Sequence, residues 1–426
     1  MRNPHSIGLL LAFAMTGGAL GQSRPPAGDW PQFRGPDGLA TSKSAKLPLT
    51  WSATQNVAWK TQLPGPGTSS PIVVGDRVFL TCYTGYGPAA PGATSQNDLK
   101  LHVLCLNHAD GRILWDKPIA PELPEQERIR EDHGYASSTP AADSERVYVF
   151  FGKTGVFAFN HDGRELWRAK VGSRINGWGS AASPVLHRDL VLVNASVESE
   201  SLVALNKLTG QETWRAGGIK EAWNTPLLVE VAGGKRELVI PIFGKVLAFD
   251  PDSGQSLWNC DTGIGWYMCP SPVAHEGVVY SIGGRTGGGL AVRAGGRGDV
   301  TASHGLWRLS KGSNVSSPIY HDGHLYFAHE NLGVVNCGEA KTGKIVYEER
   351  LAPSPGQIYS SPVLADGKLY YVSRRGGVFV LAAKPIFELL ARNGLGDSST
   401  FNASPAIAGD QLFLRSDRFL YCLGER

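Results

Sequence analysis

The fold is decided by the stretch SSPIYHDGHLY at residues 316–326, together with KTGKIVY at residues 341–347. Proline suits the first residue of a strand, because its missing N–H is not yet needed by the ladder. The Asp-Gly and Thr-Gly pairs are tight-turn sequences, since glycine readily adopts the positive φ that such turns require. The stretch therefore predicts a unit of four short antiparallel strands.

This unit recurs along the chain, each time opening with a Ser-, Thr- or Ala-rich step into proline. From the second unit onward, the prolines follow one another at intervals of 42 to 46 residues. A period of this length with several short strands per unit is typical of a β-propeller. The chain is therefore predicted to be an all-β propeller of eight four-stranded antiparallel blades. The prolines are Pro71, Pro140, Pro184, Pro226, Pro272, Pro318, Pro362 and Pro405.

The two ends of the repeat array are predicted to complete one blade. The eighth unit stops after its third strand, whereas residues 56–61, NVAWKT, read as a fourth strand with nothing before it. An N-terminal strand that completes the last blade removes an open sheet edge. The propeller is thus expected to span residues 56–426, preceded by an extension at 22–55.

Residues 1–21 have the pattern of a cleavable secretory signal peptide. Arg2 precedes an apolar run from Ile7 to Leu20, with small residues near the end. The run is short for a membrane span, although a retained anchor is the alternative. We expect export to the periplasm or the extracellular space, with no stable membrane insertion after cleavage. The formal net charge is +3 with no Lys/Arg-rich tract, so nucleic acid is not an expected partner.

A large aromatic ring recurs shortly after the last turn of most units. A ring at one place in successive blades predicts a packing wedge between neighbouring sheets, where its burial contributes about 2–3 kcal/mol. Phe387 holds the matching place in the seventh unit. The other predicted wedges are Trp59, Trp115, Trp167, Trp214, Trp258, Trp307 and Tyr347.

The six cysteines are divided between core packing and possible disulfides. Cys260 and Cys269 flank the passage between two blades and are a possible disulfide in an exported protein. Cys82 and Cys105 are a second possible pair. No metal site is expected, because the cysteines lack the close paired spacing of a zinc site. Three cysteines occupy a repeat position held elsewhere by alanine, which predicts core packing: Cys105, Cys337 and Cys422.

The segments just before each first strand carry aromatic and polar side chains that do not repeat in register. These connections lie on one face of a propeller, around the mouth of the central channel. Aromatic rings with amide and imidazole partners suit a protein hot spot or a sugar-like ligand. The alternative is that they plug the channel. The candidate ligand-binding residues are His133, Tyr135, Asn176, Trp178, Trp223, Asn224, Trp266, Tyr267, Asn314, Tyr359, Phe401 and Asn402.

Three irregular segments add to the repeat. Residues 85–99 and 118–134 are insertions that should emerge on the same face, where loops commonly carry binding functions. The Gly-rich residues 283–298 read as a solvated flexible loop. An anion site formed by its Arg285, Arg293 and Arg297 is the alternative.

Residues 340–347, AKTGKIVY, and 206–214, NKLTGQETW, resemble the pyrroloquinoline quinone (PQQ)-like propeller repeat. The opening WPQFRGP at residues 30–36 is similar to the start of exported PQQ-like propeller proteins of unknown activity. The resemblance covers the chain from about Trp30 to Leu423. It describes blade packing, so it implies the fold and leaves the activity open.

Two branches of this repeat family have known roles. Quinoprotein alcohol dehydrogenases hold PQQ and calcium over the channel and typically show a vicinal cysteine pair. This chain has no such pair, and no catalytic residue of that branch can be placed on it. The other branch is a non-catalytic eight-bladed lipoprotein of the outer-membrane barrel-assembly machinery. This chain matches its size and blade number but lacks its lipid-attachment cysteine.

The leading hypothesis is an exported, non-catalytic binding scaffold that recognises a protein or a glycan on the channel-mouth face. The sequence identifies no catalytic residue, and no cofactor is predicted for this scaffold. A divergent quinoprotein oxidoreductase using PQQ and calcium is one alternative. An outer-membrane protein assembly factor is the other. The sequence leaves the oligomeric state open.

Overall fold

The computed structural model describes Met1 and residues 28–42, 46–88, 95–130, 133–285 and 287–424. Apart from Met1, the predicted signal peptide lies outside the described residues. The strands form eight separate sheets, six of four strands and two of five. The predicted all-β propeller of eight antiparallel four-stranded blades is confirmed.

The chain begins with β1 (Thr41–Ser42) and β2 (Val57–Gln62), which join the last two blades. The first four blades follow in order. They comprise β3 (Ile72–Val74), β4 (Arg77–Thr84), β5 (Lys100–Asn107) and β6 (Ile113–Ile119); β7 (Ala141–Ala142), β8 (Arg146–Phe150), β9 (Val156–Asn160) and β10 (Glu165–Ala169); β11 (Val185–His187), β12 (Leu190–Ala195), β13 (Ser201–Asn206) and β14 (Glu212–Gly217); and β15 (Leu227–Val231), β16 (Lys235–Ile242), β17 (Lys245–Phe249) and β18 (Ser256–Asp261).

The last four blades are built in the same way. They comprise β19 (Val273–His275), β20 (Val278–Ile282), β21 (Gly289–Arg293) and β23 (Gly305–Leu309), with β22 (Gly298–Asp299) between the last two; β24 (Ile319–His321), β25 (His324–His329), β26 (Val334–Glu339) and β27 (Ile345–Arg350); β28 (Val363–Ala365), β29 (Lys368–Val372), β30 (Val378–Ala382) and β31 (Leu389–Asn393); and β32 (Ala406–Ala408), β33 (Gln411–Arg415) and β34 (Phe419–Leu423). Two single-turn helices, α1 (Ser196–Ser199) and α2 (Thr301–His304), lie in connections, as do 3-10 turns at Gln96–Asp98, Gly152–Thr154 and Ala232–Gly234.

The ring is closed by the N-terminal strand. Strand β2 pairs antiparallel with β34, with Trp59 opposite Cys422. The order β2-β34-β33-β32 completes a four-stranded eighth blade. This confirms the predicted closure and leaves no unpaired edge at the seam.

A ring of hydroxyl groups joins the blades where the first strands begin. Each first strand starts directly after its proline, and the residue before that proline is Ser or Thr in all eight blades. The backbone N–H of this residue donates to the hydroxyl of its counterpart in the next blade. Seven such bonds, each 2.9–3.0 Å long, run from Ser70→Thr139 to Ser361→Ser404. The Ser/Thr-Pro step of the sequence is therefore an inter-blade fastening.

The wedge rings lie between consecutive blades. In five blades the indole N–H donates to a backbone carbonyl in the next blade, at 2.8–3.2 Å. The turn glycine of that next blade packs against the ring. A Cβ on Gly254, which has a φ of +71°, would lie 2.5 Å from the Trp214 ring. The indole–carbonyl pairs are Trp59–His108, Trp115–His161, Trp167–Lys207, Trp214–Pro251 and Trp307–Ala340.

Trp258 makes a different bond because the fifth blade has an insertion in place of the tight turn. Its indole N–H donates to the Glu237 carboxylate at 2.7 Å. The N–H of Gly295, in the insertion, donates to the same oxygen at 3.0 Å. The insertion also adds β22 in parallel to the outer strand β18 of the fourth blade.

The seventh blade takes its wedge from the N-terminal extension. The strand register places Ala391, opposite Val380, at the wedge position, so the prediction for Phe387 is wrong. Phe387 lies in the preceding turn and contacts the Tyr347 ring of the sixth blade at 5.8 Å. The buried Trp51 ring instead stacks on Tyr370, with ring centroids 6.4 Å apart. The wedges Trp115 and Trp167 contact the corresponding rings of their own blades at 6.0 Å, in tilted arrangements.

Residues 28–42 cross the end of the channel opposite the connections into the first strands. Trp30 bridges to Val73 in the first blade, and the Pro31 carbonyl accepts from the second. The buried Arg34 guanidinium donates to the Pro318 carbonyl of the sixth blade at 2.5 Å. Strand β1 pairs in parallel with β28 of the seventh blade. The extension thus closes this end of the channel through contacts with several blades.

Two expectations from the sequence need correction. All six cysteines are free, so the possible Cys260–Cys269 and Cys82–Cys105 disulfides are not formed. Cys260 packs in a core cluster with Trp258, and its thiol lies against the Asp261 carbonyl. The Gly-rich residues 283–298 are not a loop throughout, because they contain β21, the third strand of the fifth blade.

Candidate functional site

The connections into the first strands bring six predicted side chains together at the channel mouth. We call them the mouth cluster. Trp178 contacts the His133 ring at 5.7 Å and the Tyr267 ring at 6.1 Å. Tyr267 also contacts Trp223 at 5.8 Å and Trp266 at 5.6 Å. The members, from five successive connections, are His133, Trp178, Trp223, Trp266, Tyr267 and Asn314.

Neighbouring polar and cationic groups hold these rings in place. The Trp223 indole N–H donates to the Gly179 carbonyl at 2.8 Å, and the Asn314 amide donates to the Tyr267 hydroxyl at 3.2 Å. The Arg130 guanidinium lies 4.1 Å from the Trp178 ring centroid. Such cation–π contacts stabilise a ring in a defined position. The cluster is therefore an ordered aromatic surface.

A polar network occupies the other side of the mouth. The Arg374 guanidinium donates to Gln357 at 2.6 Å, and the Gln357 amide donates to Asn331 at 2.9 Å. Asn331 in turn donates to the buried Glu330 at 3.3 Å. Arg374 also lies over the Tyr359 ring at 4.7 Å. Tyr359 thus belongs to this network and not to the mouth cluster.

Two of the predicted ligand contacts are buried between blades. Asn224 is 1% exposed. Its amide donates to the carbonyls of Pro241 and Met268 at 2.7 and 3.0 Å. Phe401 is also buried and stacks on Tyr421 at 6.3 Å. Both are structural residues, because an amide or a ring committed to the blade interface has no surface left for a ligand.

The remaining candidates lie at the margin of the cluster. The Tyr135 hydroxyl donates to the Gln126 carbonyl at 2.5 Å, and its ring packs against Tyr83. The Asn176 side-chain oxygen accepts from the Trp178 N–H at 2.9 Å and thereby shapes the connection that carries Trp178. Asn402 is half-buried beside Phe401.

The two insertions meet on this face. The Gln96 amide donates to the Glu125 carbonyl at 2.7 Å, and the Glu125 N–H donates back to Gln96 at 3.0 Å. The Tyr86 hydroxyl reaches the Glu127 carbonyl at 3.2 Å. The described parts of the two insertions are thus joined to each other by hydrogen bonds on this face.

An open cleft of about 450 Å³ lies next to the mouth cluster. It contains residues that the sequence analysis missed, above all Lys220 and Phe243. Phe243 occupies the turn between the second and third strands of the fourth blade, so its place in the repeat was the available signal. The cleft is lined by Arg174, Ile175, Asn176, Ser196, Val197, Glu200, Gly218, Lys220, Glu221, Trp223, Ile242 and Phe243.

Large apolar side chains are exposed around this cleft. Phe243 is 48% exposed, Ile175 41% and Trp266 38%. Leu332 is 50% exposed on the same face. A group of exposed apolar residues with a polar rim marks an interaction surface.

The arrangement does not fit the PQQ and calcium that the family resemblance implies. Calcium takes about six to eight oxygen ligands, with several carboxylates among them. Within the described residues, no group of three or more His, Cys, Asp or Glu side chains is placed to hold a metal ion. The buried Glu330 at the mouth already accepts hydrogen bonds from Asn314 and Asn331. Within the described residues, the carboxylates that would anchor a calcium-bound quinone are therefore not gathered in one group.

No helix in the described part of the chain is long and apolar enough to cross a membrane.

A family model described as "outer membrane protein assembly factor BamB" matches residues 99–285 and 242–417. The chain belongs to this family. Its repeats and eight-bladed ring agree with that membership. A curated relative, the quinoprotein alcohol dehydrogenase PedH of Pseudomonas putida, is 28% identical over 178 residues. The match covers 38% of this chain and only 27% of PedH.

Solved structures share the fold of this BamB-family chain at low sequence identity. BamB from Moraxella catarrhalis has a TM-score of 0.59 at 14% identity, covering 86% of this chain and 98% of that one. A europium-containing methanol dehydrogenase has a TM-score of 0.67 at 12% identity, covering 93% and 98%. The computationally designed Ika8 protein has a TM-score of 0.58 at 14% identity, covering 87% and 99%. At these identities the likeness shows the fold alone.

Proposed function

We propose that this chain is an exported, non-catalytic scaffold that recognises a protein on its channel-mouth face. The observation that carries the proposal is the exposure of Ile175 and Phe243 in a cleft of about 450 Å³, with Trp266 exposed in the adjoining mouth cluster. Interfaces are enriched in Trp, Tyr and Arg at their energetic centres. The mouth cluster and its arginines supply these residue types on a rigid ring.

A protein fits this surface better than a glycan does. Sugars bind aromatic faces framed by amides and carboxylates, whereas aliphatic and phenyl groups contribute little to their recognition. Ile175 and Phe243 line the cleft and Leu332 is exposed elsewhere on the same face, so the exposed apolar surface is not confined to the tryptophan rings. The exposed cation of Lys220 and the Arg174–Glu200 pair, 3.0 Å apart, supply a polar rim.

The predicted signal peptide supports a location of the proposed scaffold outside the cytoplasmic membrane. Membership in the BamB family supports this compartment, because that family's description names an outer-membrane assembly factor. A role in outer-membrane protein assembly is accordingly one version of this proposal, in which the recognised protein belongs to that assembly process.

Site-specific photo-crosslinking in the native host tests the proposal. A photoreactive amino acid is placed at Phe243 or Trp266, with Leu208 and Ile386 as matched controls. The controls are 58% and 70% exposed in turns on the opposite face. We expect the mouth positions to crosslink to a defined protein and the control positions not to do so, as read by gel shift and mass spectrometry.

Three results would contradict the proposal. One is an identical set of crosslinks from both faces. Another is the absence of a protein crosslink from the mouth positions, combined with quenching of the protein's tryptophan fluorescence by envelope polysaccharide. That combination would favour a glycan ligand. The third is a clear rise in the unfolding temperature with PQQ and calcium, which would favour a quinoprotein.

A further inference from the structure

Glu198 is a buried carboxyl group beneath the mouth face. It lies in α1, between the second and third strands of the third blade, and is 2% exposed. Its side-chain oxygen accepts a short hydrogen bond from the Ser180 hydroxyl. A buried carboxylate with so few donors is unfavourable, whereas its protonated form loses little on burial.

Glu198 holds a single connection at both of its ends. Its backbone carbonyl accepts from the N–H groups of Ser173 and Arg174, at 3.1 and 3.2 Å. Its carboxyl group binds Ser180 at the other end. The segment between these contacts, residues 173–180, carries Asn176 and Trp178, and it lines the cleft of about 450 Å³.

Two glycines allow the close approach that this arrangement needs. A Cβ on Gly152 would lie 2.7 Å from the Ser180 hydroxyl and 3.2 Å from the Glu198 carboxyl oxygen. A Cβ on Gly172 would lie 2.3 Å from the Glu198 carbonyl oxygen. Glycine backbone therefore approaches Glu198 closely on the side of its carboxyl group, at Gly152, and on the side of its carbonyl group, at Gly172.

The charged groups around Glu198 come from three other elements. Glu125, from the connection into the second blade, opposes its ionisation, and Arg174 favours it. Arg174 also pairs with Glu200 at 3.0 Å. Lys153, in the adjacent 3-10 turn, donates to the Pro124 carbonyl and favours the ionised form of Glu125.

Burial raises the pKa of Glu198 to about 7, with Ser180 partly opposing the shift and Glu125 adding to it. Burial also raises the pKa of Glu125. In a solvent-exposed chain the Glu pKa is about 4.3. Glu198 thus binds its proton more tightly when the connection is ordered than when it is open. The stability of the ordered connection relative to the open one therefore falls as the pH rises from about 4.3 to about 7.

We propose that Glu198 is a pH-sensitive positioning residue that clamps residues 173–180 over the mouth while protonated and releases them when it ionises. Release frees Trp178 from its contacts with His133 and Tyr267 and changes the shape of the cleft. The effect on partner recognition rests on the proposed function, whereas the release of residues 173–180 is independent of it.

Hydrogen–deuterium exchange of the full mature chain tests the clamp without a partner. Exchange in residues 173–180 is measured from pH 5.5 to 8.5 and corrected for the intrinsic rate. We expect the wild type to exchange about tenfold faster above pH 7 than at pH 6, since each pH unit between the pKa values of Glu198 in the open and in the ordered connection changes the opening equilibrium about tenfold. Glu198→Gln keeps the shape and cannot ionise, so its corrected exchange stays constant with pH.

Two further variants keep the test decisive. Ser180→Ala removes the contact through which the carboxyl group holds the connection, so its corrected exchange in residues 173–180 should be faster than that of the wild type even below pH 6. Glu125→Gln retains the transition, because Glu198 still titrates. Corrected exchange in residues 173–180 that does not change with pH in the wild type would overturn the clamp. So would corrected exchange in Glu198→Gln that rises with pH as steeply as in the wild type. Intact pH dependence with no crosslinked partner would contradict the proposed function alone.

Discussion

Two groups of aromatic residues in this protein differ in how their rings are used. In the wedge belt, the Trp214 ring lies between two blades, 9% exposed, and its N–H donates to the next blade. In the mouth cluster, Trp266 is 38% exposed, and its ring contacts Tyr267 and the Arg285 guanidinium. Tryptophan is the most frequent residue in both groups, so residue type does not separate packing from recognition. The repeat register does, because wedge residues recur in almost every blade and mouth residues do not.

The seventh blade shows why the wedge belt matters. Its own wedge position holds Ala391, and Trp51 from the extension fills the place by stacking on Tyr370. A propeller blade that lacks a wedge leaves a void against its neighbour, and voids in a core are destabilising. The extension is therefore part of the propeller core as well as the closure of one channel end.

The largest effect expected from this comparison is the loss of a wedge. Trp214→Ala removes a buried ring and an inter-blade hydrogen bond, so it should lower the free energy of unfolding by about 3–5 kcal/mol. Trp266→Ala removes a ring that is largely exposed on one face and should cost about 1 kcal/mol or less. Chemical denaturation of both variants measures the difference. Equal losses would mean that the mouth cluster is a core element.

A smaller loss is expected when the wedge comes from the extension. Trp51→Ala should lower the free energy of unfolding by about 2–4 kcal/mol, because it opens a cavity beside Tyr370. In that background, Ala391→Trp supplies the ring from the position used by other blades and should recover part of the stability. A double variant less stable than Trp51→Ala would show that the two sites are not equivalent.

The smallest effect should come from the hydroxyl ring. Ser317→Ala leaves the buried N–H of Ser271 without its acceptor, which should cost about 1–3 kcal/mol. Ser303→Ala, at an exposed position in α2, is the matched control and should change stability by no more than about 0.5 kcal/mol. If both variants unfold at the same denaturant concentration, the ring does not fasten the blades.

The candidate site was only partly predictable from the sequence. His133, Trp178 and Tyr267 could be selected because they depart from the repeat just before a first strand. Asn224 departs from it equally, yet its amide is used between blades. Phe243 was missed because it lies in the turn between the second and third strands, whereas the candidates were selected from the connections into the first strands.

By itself, the sequence determined the blade number, the strand order and the closure of the ring. These features depend on local chemistry that repeats, namely a Ser/Thr-Pro step, a Gly turn and a ring after that turn. Only the tertiary structure decided that Trp51 serves the seventh blade, that Glu198 holds residues 173–180, and which mouth rings meet. Each of these depends on contacts between residues far apart in the chain and outside the repeat, and such contacts leave no periodic pattern in a sequence.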